Sequence, residues 1–389
     1  MKICLINNLY PPFDRGSGAE VISQILIDGL KQLGHQVIVI ACKPYSATNP
    51  ALEGNYYISS AYHDLNKIPL GLRYFWHIGN ALGFLKPYKI KKIIKQEACD
   101  LVITNNLMGL GFLTPRFIKS TKIKHIHILH DIQLLFPSGL MFYGQESILE
   151  SPVAKLYQRL CNFCFKEIDL TVSPSHWLLN LYRQKNMFNE QRVLVLRNPQ
   201  IDRQISTAHK TETTNRPFVF LSVGQVDDHK GVPLLVKAFN DLLADNNLNC
   251  QLLVIGGGSR LEELKALSHE NIKFLGKVPN HEVHEAMQTA DCLVVPSLCY
   301  ENSPTIIFEA LYNDLPVLAS RIGGIGEILQ DNDNLLFEPG NHQELKNKLL
   351  WAVQNSHELR QQFNKLKADF RPNNACEYFN IINEALNKN

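Results

Sequence analysis

Two carboxylates, Glu301 and Glu309, bracket a segment of hydroxyl, proline and β-branched residues in ENSPTIIFE. Ser303 is a residue type that caps helices and Pro304 suits the first helical position, so the spacing predicts a helix that opens at Ser303-Pro304 and carries Glu309 beyond its first turn. The free N–H groups of Thr305 and Ile306, with the positive end of the helix, then make a place for an anion. Glu309 follows Thr305 by four residues and Ile306 by three, which puts it on the helix side close to that anion, while Glu301 stands in the loop opposite. A carboxylate beside a phosphate is repelled unless it bonds hydroxyl groups instead. The ligand that satisfies both combines phosphate with sugar hydroxyls, as a nucleotide sugar does. The structural alternative is an acid placed by the helix dipole and a loop glutamate in water.

The elements that must hold these residues read as strands and helices of a covered sheet. Cys292 to Val295 is an apolar run closed by Pro296 and Ser297, which suits a parallel strand ending just before Glu301. Earlier in the chain KICLIN, QVIVIAC, DLVITNN, KHIHILH and DLTVSPS each precede loop or helical pattern, with a helix over 19–33 after the first. That alternation predicts a doubly wound parallel sheet. Residues 198–217 turn polar and read as a linker, after which FVFLSVG, QLLVIGGG, NIKFLG, DCLVVPS and PVLAS repeat the layout. The expected architecture is α/β, with two Rossmann-like domains. The first covers 1–198, and a helix over about 374–389 packs back on either domain; the second covers 199–373.

Composition agrees with a globular chain of this kind. With 389 residues, 45% hydrophobic and 20% charged content, the chain is long enough for two cores. A net charge of +2 gives no support for a general nucleic-acid binder. Nine cysteines leave one over from any full pairing, so reduced thiols and a cytoplasmic location are the simpler reading. Cys161 and Cys164 form one C-x-x-C inside a helical pattern, which reads as a packed face rather than a metal or redox site. The strand pattern KICLIN follows Met1 with no basic n-region, apolar h-region or cleavage site, so no signal peptide is expected, and no apolar stretch reaches membrane-spanning length.

The loop after the first strand, NNLYPPFDRGSGAE, carries small residues at Gly16, Ser17 and Gly18 just before a helix, where a ligand can approach backbone N–H groups. It is not a dinucleotide fingerprint, since the glycines come late and Val21 stands where the third would fall. An NAD-dependent dehydrogenase is disfavoured on that ground. Asp331-Asn332-Asp333 has the form of an Asp-x-Asp metal motif but reads as a polar turn before LLFEPG.

Glu301 and Glu309 in ENSPTIIFE, Ser17-Gly18-Ala19-Glu20, Gly34-His35, His130-Asp131 and Asn198-Pro199 occur in this order with Val223-Gly224, Lys230-Gly231, the Gly256-Gly258 run and Gly276-Lys277-Val278. With these motifs in their places over nearly its whole length, the chain resembles the retaining glycosyltransferases of family 4, which have the two-domain GT-B fold. The resemblance implies a nucleotide-sugar donor held by the C-terminal domain and a glycan, glycolipid or other acceptor held by the N-terminal domain, in cell-surface polysaccharide or glycolipid synthesis. It implies retention of anomeric configuration, no metal and no other cofactor. Glu301, His130 and Lys230 become the catalytic candidates. Donor binding falls to Glu309, Thr305, Ile306, Pro304, Ser303, Gln225, Val278, Gly18, Ser17, Gly224 and Gly256. Within that scheme Glu309 takes the ribose hydroxyls, Glu301 and His130 the transferred sugar, Lys230 the diphosphate, and Val278 the base through its backbone.

Three positions depart from the pattern. Gln225 stands where the family usually has Arg, which removes a fixed charge from the phosphates. Asp314 replaces a Gly after the Glu309 helix, and Asp tolerates a left-handed backbone better than most residues. Gly326 replaces a common Pro. Rival readings are a GT-B epimerase or hydrolase of nucleotide sugars, and a non-catalytic nucleotide-sugar binding protein. The apolar loop LLFPSGLMFYG, 134–144, reads as an acceptor or lipid contact or as a simple cover. KPYKIKKIIK, 86–95, reads as a basic helix for peripheral contact at the anionic inner membrane face or as a solvated face.

Overall fold

The computed structural model describes residues 1–13, 18–48, 50, 54–200 and 216–388. Two units divide the chain: Met1–Leu140 with Ser147–Asp202 and Pro372–Asn389, and Met141–Glu146 with Arg203–Arg371.

The first unit is built on seven parallel strands: β1 (Lys2–Ile6), β2 (Gln36–Lys43), β3 (Asn55–Ser59), β4 (Leu101–Thr104), β5 (Lys124–Ile128), β6 (Leu170–Ser173) and β7 (Val193–Val195), in the order β3-β2-β1-β4-β5-β6-β7. The sheet is covered on both faces, so Ile3 to Ile6 of β1 are fully buried and read as an unbroken apolar run rather than an alternation. β3 and β7 lie at the two edges, where half-buried residues weaken the sequence signal. The helices that position the features discussed below are α1 (Gly18–Gln32), α2 (Leu70–Leu82) and α3 (Leu85–Gln96).

The C-terminal helix Ala375–Asn387 packs on this first unit, against α1. Asn374 and Glu377 close its start with a reciprocal capping box. Tyr378, Phe379, Ile382 and Leu386 enter the core that covers β1, β4, β5 and β6. Each such side chain contributes about 1.5–3 kcal/mol on burial. Contact is close at Gly29 of α1, where an added Cβ would come within 2.3 Å of the Ala375 Cβ.

The second unit carries β8 (Phe218–Val223), β9 (Cys250–Ile255), β10 (Ile272–Gly276), β11 (Cys292–Val295), β12 (Val317–Ser320) and β13 (Leu336–Phe337), all parallel, in the order β10-β9-β8-β11-β12-β13. The chain crosses from one side of β8 to the other between β10 and β11. β8 and β11 therefore flank the topological switch point, the place where open α/β sheets bind ligands outside the carboxyl ends of their strands.

The sequence assigns 1–198 to the first domain, and one segment corrects that boundary. Met141–Glu146 belongs with the second unit because its backbone pairs there: Phe142 forms an antiparallel bridge with Cys299, the Tyr143 N–H donates to Leu298 O at 2.9 Å, and the Tyr300 N–H donates to Met141 O at 2.9 Å. The linker residues 201–215 and Ser17 lie outside the described residues. All nine cysteines are free, with Cys161 and Cys164 buried on the helix Pro152–Phe165. Asp331 and Asp333 both pair with Arg321 in a turn.

Candidate functional site

Five loops meet at the carboxyl edge of the second sheet. After β8, the loop through Gly224 and Gln225 leads to a short turn of helix ending in Lys230, then the helix Val232–Asp245. After β9 comes Gly256, whose N–H donates to Gly276 O at 2.8 Å, while the Gly224 N–H donates to Ile255 O at 2.9 Å. The two loops touch so closely that a Cβ on Gly256 would fall 1.7 Å from Gly224 O, which makes this glycine a packing requirement and not a simple turn residue. Asp227 fixes them further by accepting from the Ser259 N–H and hydroxyl, each at 2.6 Å.

The loop after β11 is held from both sides. Leu298 and Cys299 N–H groups donate to His229 O at 3.0 and 3.1 Å, next to Lys230. The Tyr300 hydroxyl donates to Glu146 Oε1 at 2.6 Å. The Gly324 N–H donates to Glu301 O at 2.8 Å, and a Cβ on Gly323, whose φ is +62°, would lie 2.0 Å from that carbonyl oxygen. Gly323 therefore positions Glu301. Nothing in the sequence around Gly323 signals that its backbone presses on a residue 22 positions earlier.

These contacts bring Glu301 to Lys230. The Lys230 ammonium donates to Glu301 Oε1, and Ser297 Oγ donates to the same oxygen at 3.1 Å. Burial, the largest single influence on Lys230, works against its charge. The charge and hydrogen bond of Glu301 outweigh that and raise the ammonium above its ordinary value, so it stays protonated at neutral pH. Burial, followed by the Glu301 charge, pushes the neighbouring Cys299 thiol up to about 12 and keeps it neutral.

The helix beyond Glu301 spans Thr305–Tyr312 and starts one residue later than its sequence predicts. Pro304 occupies the cap position and Ser303 makes no capping bond; the Ser303 Oγ is buried with no hydrogen-bond partner among the described residues. The reason is that Pro304 adopts an extended ψ of 118°, which takes Ser303 out of reach of the first turn. Thr305 and Ile306 become the first two helical residues, and their N–H groups have no intrahelical acceptor. Glu309 stands on the same helix, half-buried. Beyond its end Asp314 has φ +54°, so Asp does occupy a left-handed position, and its carboxylate is paired with Arg360 at 2.9 Å and Lys367 at 2.6 Å.

Of the remaining expected residues, Gln225 is exposed and Val278 is half-buried against the core. Arg260, which the sequence did not single out, lies in the loop after β9. Its guanidinium is within 3.6 Å of Asp228 and 2.9 Å of Glu263, and its N–H donates to Val226 O at 3.1 Å, beside Gln225.

In the first unit, Gly18 begins α1 and is exposed, and His130 with Asp131 follows β5. Burial pushes His130 down to about 4, so it is neutral at pH 7. Burial also pushes Asp131 up to about 6 although it accepts the Gln133 N–H at 2.7 Å. Both line a cavity of about 20 Å³, room for about one water, with Asn105 and Tyr182.

Two parallel-sheet α/β units with their loops at the carboxyl edge define the GT-B class. The family described as "Glycosyltransferase Family 4" matches residues 16–199 and "Glycosyl transferases group 1" matches 204–368, so the two halves of the chain are those of a GT-B glycosyltransferase of the group 1 and family 4 type. An uncharacterized 42.6 kDa protein in the cps region of Klebsiella pneumoniae is 26% identical over 348 residues, covering 87% of this chain and 90% of that protein. The putative teichuronic acid biosynthesis glycosyltransferase TuaC of Bacillus subtilis is 24% identical over 368 residues, covering 89% and 87%. Among solved structures, Anabaena HepE in complex with UDP shares the fold at a TM-score of 0.70 and 17% identity, with 99% of each chain covered.

Proposed function

We propose that this chain is a retaining, metal-independent glycosyltransferase. It moves a sugar from a nucleoside-diphosphate sugar to a glycan, glycolipid or other glycoconjugate in the synthesis of a cell-surface polysaccharide or glycolipid. The observation that carries this reading is the Lys230–Glu301 pair at the switch point of the second sheet, next to a helix N-terminus whose helix bears Glu309. TuaC, whose name places it in teichuronic acid synthesis, and HepE, solved with UDP, support the donor and product classes.

Each group then has a chemical task. The Glu309 carboxylate accepts from the ribose hydroxyls, a diol matching its two oxygens. The N–H groups of Thr305 and Ile306 receive the diphosphate, with Ser303 and Pro304 shaping the turn, and Gly224 and Gly256 let it approach the backbone. Gly18, and Ser17 before it, do the same from the start of α1. Val278 meets the base through its backbone. Lys230 gains a second anion as the diphosphate leaves, so its stabilisation grows along the reaction. Glu301 then orients the transferred sugar through its hydroxyls. His130, neutral at pH 7, serves as a hydrogen-bonding group for that sugar and not as a cation.

The bond from the anomeric carbon to the diphosphate oxygen breaks, and the acceptor oxygen bonds to the same face of that carbon. The acceptor proton passes to a leaving phosphate oxygen. Lys230 and the helix N–H groups supply the positive charge that a metal ion would otherwise bring.

The reading places the protein in the cytoplasm, with peripheral contact to an anionic membrane. No helix among the described residues is long and apolar enough to cross one. Support for the contact comes from α2 and α3, which leave Leu72, Phe75 and Leu85 at 57%, 67% and 72% exposure beside exposed Lys89, Lys92 and Lys95.

The test is a thermal-shift panel of UDP-, GDP-, ADP- and TDP-sugars with and without EDTA, followed by NMR of the product's anomeric configuration. A shift with one base that EDTA leaves unchanged, and a product of retained configuration, are expected. Donor conversion without any acceptor would assign an epimerase or hydrolase instead.

A further inference from the structure

An apolar cavity of about 790 Å³ opens in the first unit between α2 and the helix Pro152–Phe165, with the loop 133–138 as its third wall. It is too large for a packing void and falls in the upper range of ligand pockets. None of the roles assigned above uses it.

The lining defines what fits. Its polar groups are largely occupied by the protein itself. The Arg73 guanidinium donates to Ile68 O at 2.8 Å and to Asn66 O at 2.9 Å, and the Tyr157 hydroxyl donates to Gln133 O at 2.8 Å. Burial, and after it the Arg73 charge, lowers His77, so this imidazole is neutral at pH 7. A sugar or nucleotide would find few free partners there, whereas a hydrocarbon chain would meet Ile78, Leu82, Phe136, Leu156 and Leu160.

The mouth is built for an amphiphile. Leu82, Val153 and Leu156 line the cavity yet are 52%, 58% and 61% exposed, and the apolar surface continues from Leu82 through Phe84 and Leu85 to Tyr88. Such a patch on a soluble unit marks an interaction site. Directly after it, α3 carries Lys89, Lys91, Lys92 and Lys95 with no acidic residue between Leu85 and Gln96, while Lys86 is turned inward and donates to Gly109 O at 2.7 Å. Apolar cavity, apolar rim and unbalanced lysines together call for a hydrocarbon chain joined to an anionic head.

We infer that this cavity binds the hydrocarbon chain of a lipid phosphate, the anchor of a membrane-resident acceptor. Its role as acceptor rests on the transferase reading; the binding itself does not.

Calorimetry with dodecyl phosphate below its micelle concentration, against hexyl phosphate and inorganic phosphate, tests this on the full chain. Saturable one-to-one binding that tightens at least tenfold from hexyl to dodecyl phosphate is expected. Leu156→Glu and Val153→Glu, exposed positions whose fold is checked by thermal melting, should each weaken it at least tenfold. Equal affinity for the two chain lengths, or no effect of either variant, would overturn the inference. So would flotation with phosphatidylglycerol vesicles but no single-chain binding, which would make the patch a bilayer contact alone. A dimer in sedimentation that Leu156→Glu dissolves would overturn it too, by assigning the patch to a second copy. Donor binding on the same samples tests the transferase reading separately, so failure of one is not mistaken for failure of the other.

Discussion

The Lys230 ammonium and the Glu301 carboxylate form an ion pair between the loops that follow β8 and β11, the two strands flanking the switch point of the second sheet. Both groups are half-buried, with side-chain exposures of 32% and 16%. Neither is therefore a solvated loop charge. In the proposed reaction Lys230 would turn to a phosphate and release Glu301 to accept from sugar hydroxyls, so one pair would serve two parts of a donor.

Lys230→Met should lower turnover by about 100- to 1000-fold, the range for loss of a charge that stabilises a leaving group. Donor KM should change much less, because the stabilisation develops in the transition state. Glu301→Gln combined with it in a double-mutant cycle should show coupling of about 1–2 kcal/mol in urea unfolding. Steady-state kinetics showing a KM effect alone would reduce Lys230 to a ground-state binder.

If Glu309 holds the ribose as proposed, Glu309→Ala removes two charge-assisted hydrogen bonds, and donor Kd should rise about 10- to 100-fold. At a donor concentration 100 times the wild-type Kd, the stabilisation would fall from about 2.7 to about 0.4 kcal/mol for a hundredfold loss. An undiminished thermal shift would remove Glu309 from the donor site.

Gly323→Ala strains a residue at φ +62° and drives its Cβ onto Glu301 O. The expected cost is about 1–3 kcal/mol in stability. Turnover should fall further than stability explains, because the Glu301 loop must shift. Kinetics at a temperature where the variant remains folded separate the two effects, and wild-type turnover there would show that Glu301 is positioned by other contacts.

Asp131 makes stability fall as pH rises. Its carboxyl ionises at 3.8 in the unfolded chain and near 6 in the folded one, so below pH 4 both states hold the proton and the group is neutral in its effect. Between pH 4 and 6 the unfolded state loses its proton first, and stability drops by about 3 kcal/mol at most. Asp131→Asn keeps an acceptor for the Gln133 N–H and removes this contribution, so in urea melts its stability at pH 7 relative to pH 4 should exceed that of wild type by up to about 3 kcal/mol. His130 acts in the opposite sense: held near 4 against 6.5, its contribution is intact above pH 6.5 and is lost as pH falls towards 4.

The periodic signals in the sequence were enough for the class of fold. Fully covered parallel strands such as β1, β8 and β11 are continuous apolar runs bounded by turn residues, and such runs are visible without neighbours. The edge strands β3, β7 and β13 escaped because short, half-buried or two-residue pairings leave no run to see. The start of the Glu309 helix is legible in the sequence to within one residue, and the residue type at Asp314 suits the left-handed backbone it adopts. Its ion pairs with Arg360 and Lys367 were not legible, since those partners come 46 and 53 residues later.

Residue types and local spacing determined that Glu301 and Glu309 flank a helix N-terminus at the end of a strand. Only the tertiary structure decided that Glu301 rests against Lys230, that Gly323 and Gly256 are fixed by backbone contacts, and that Met141–Glu146 pairs with the loop before Glu301. It also decided that the C-terminal helix docks on α1, and that α2 stands off the helix Pro152–Phe165 to leave a cavity. The reason is physical. Propensity and capping act over a few residues, whereas ion pairing, close backbone approach and cavity formation depend on segments that meet through the order of strands in a sheet.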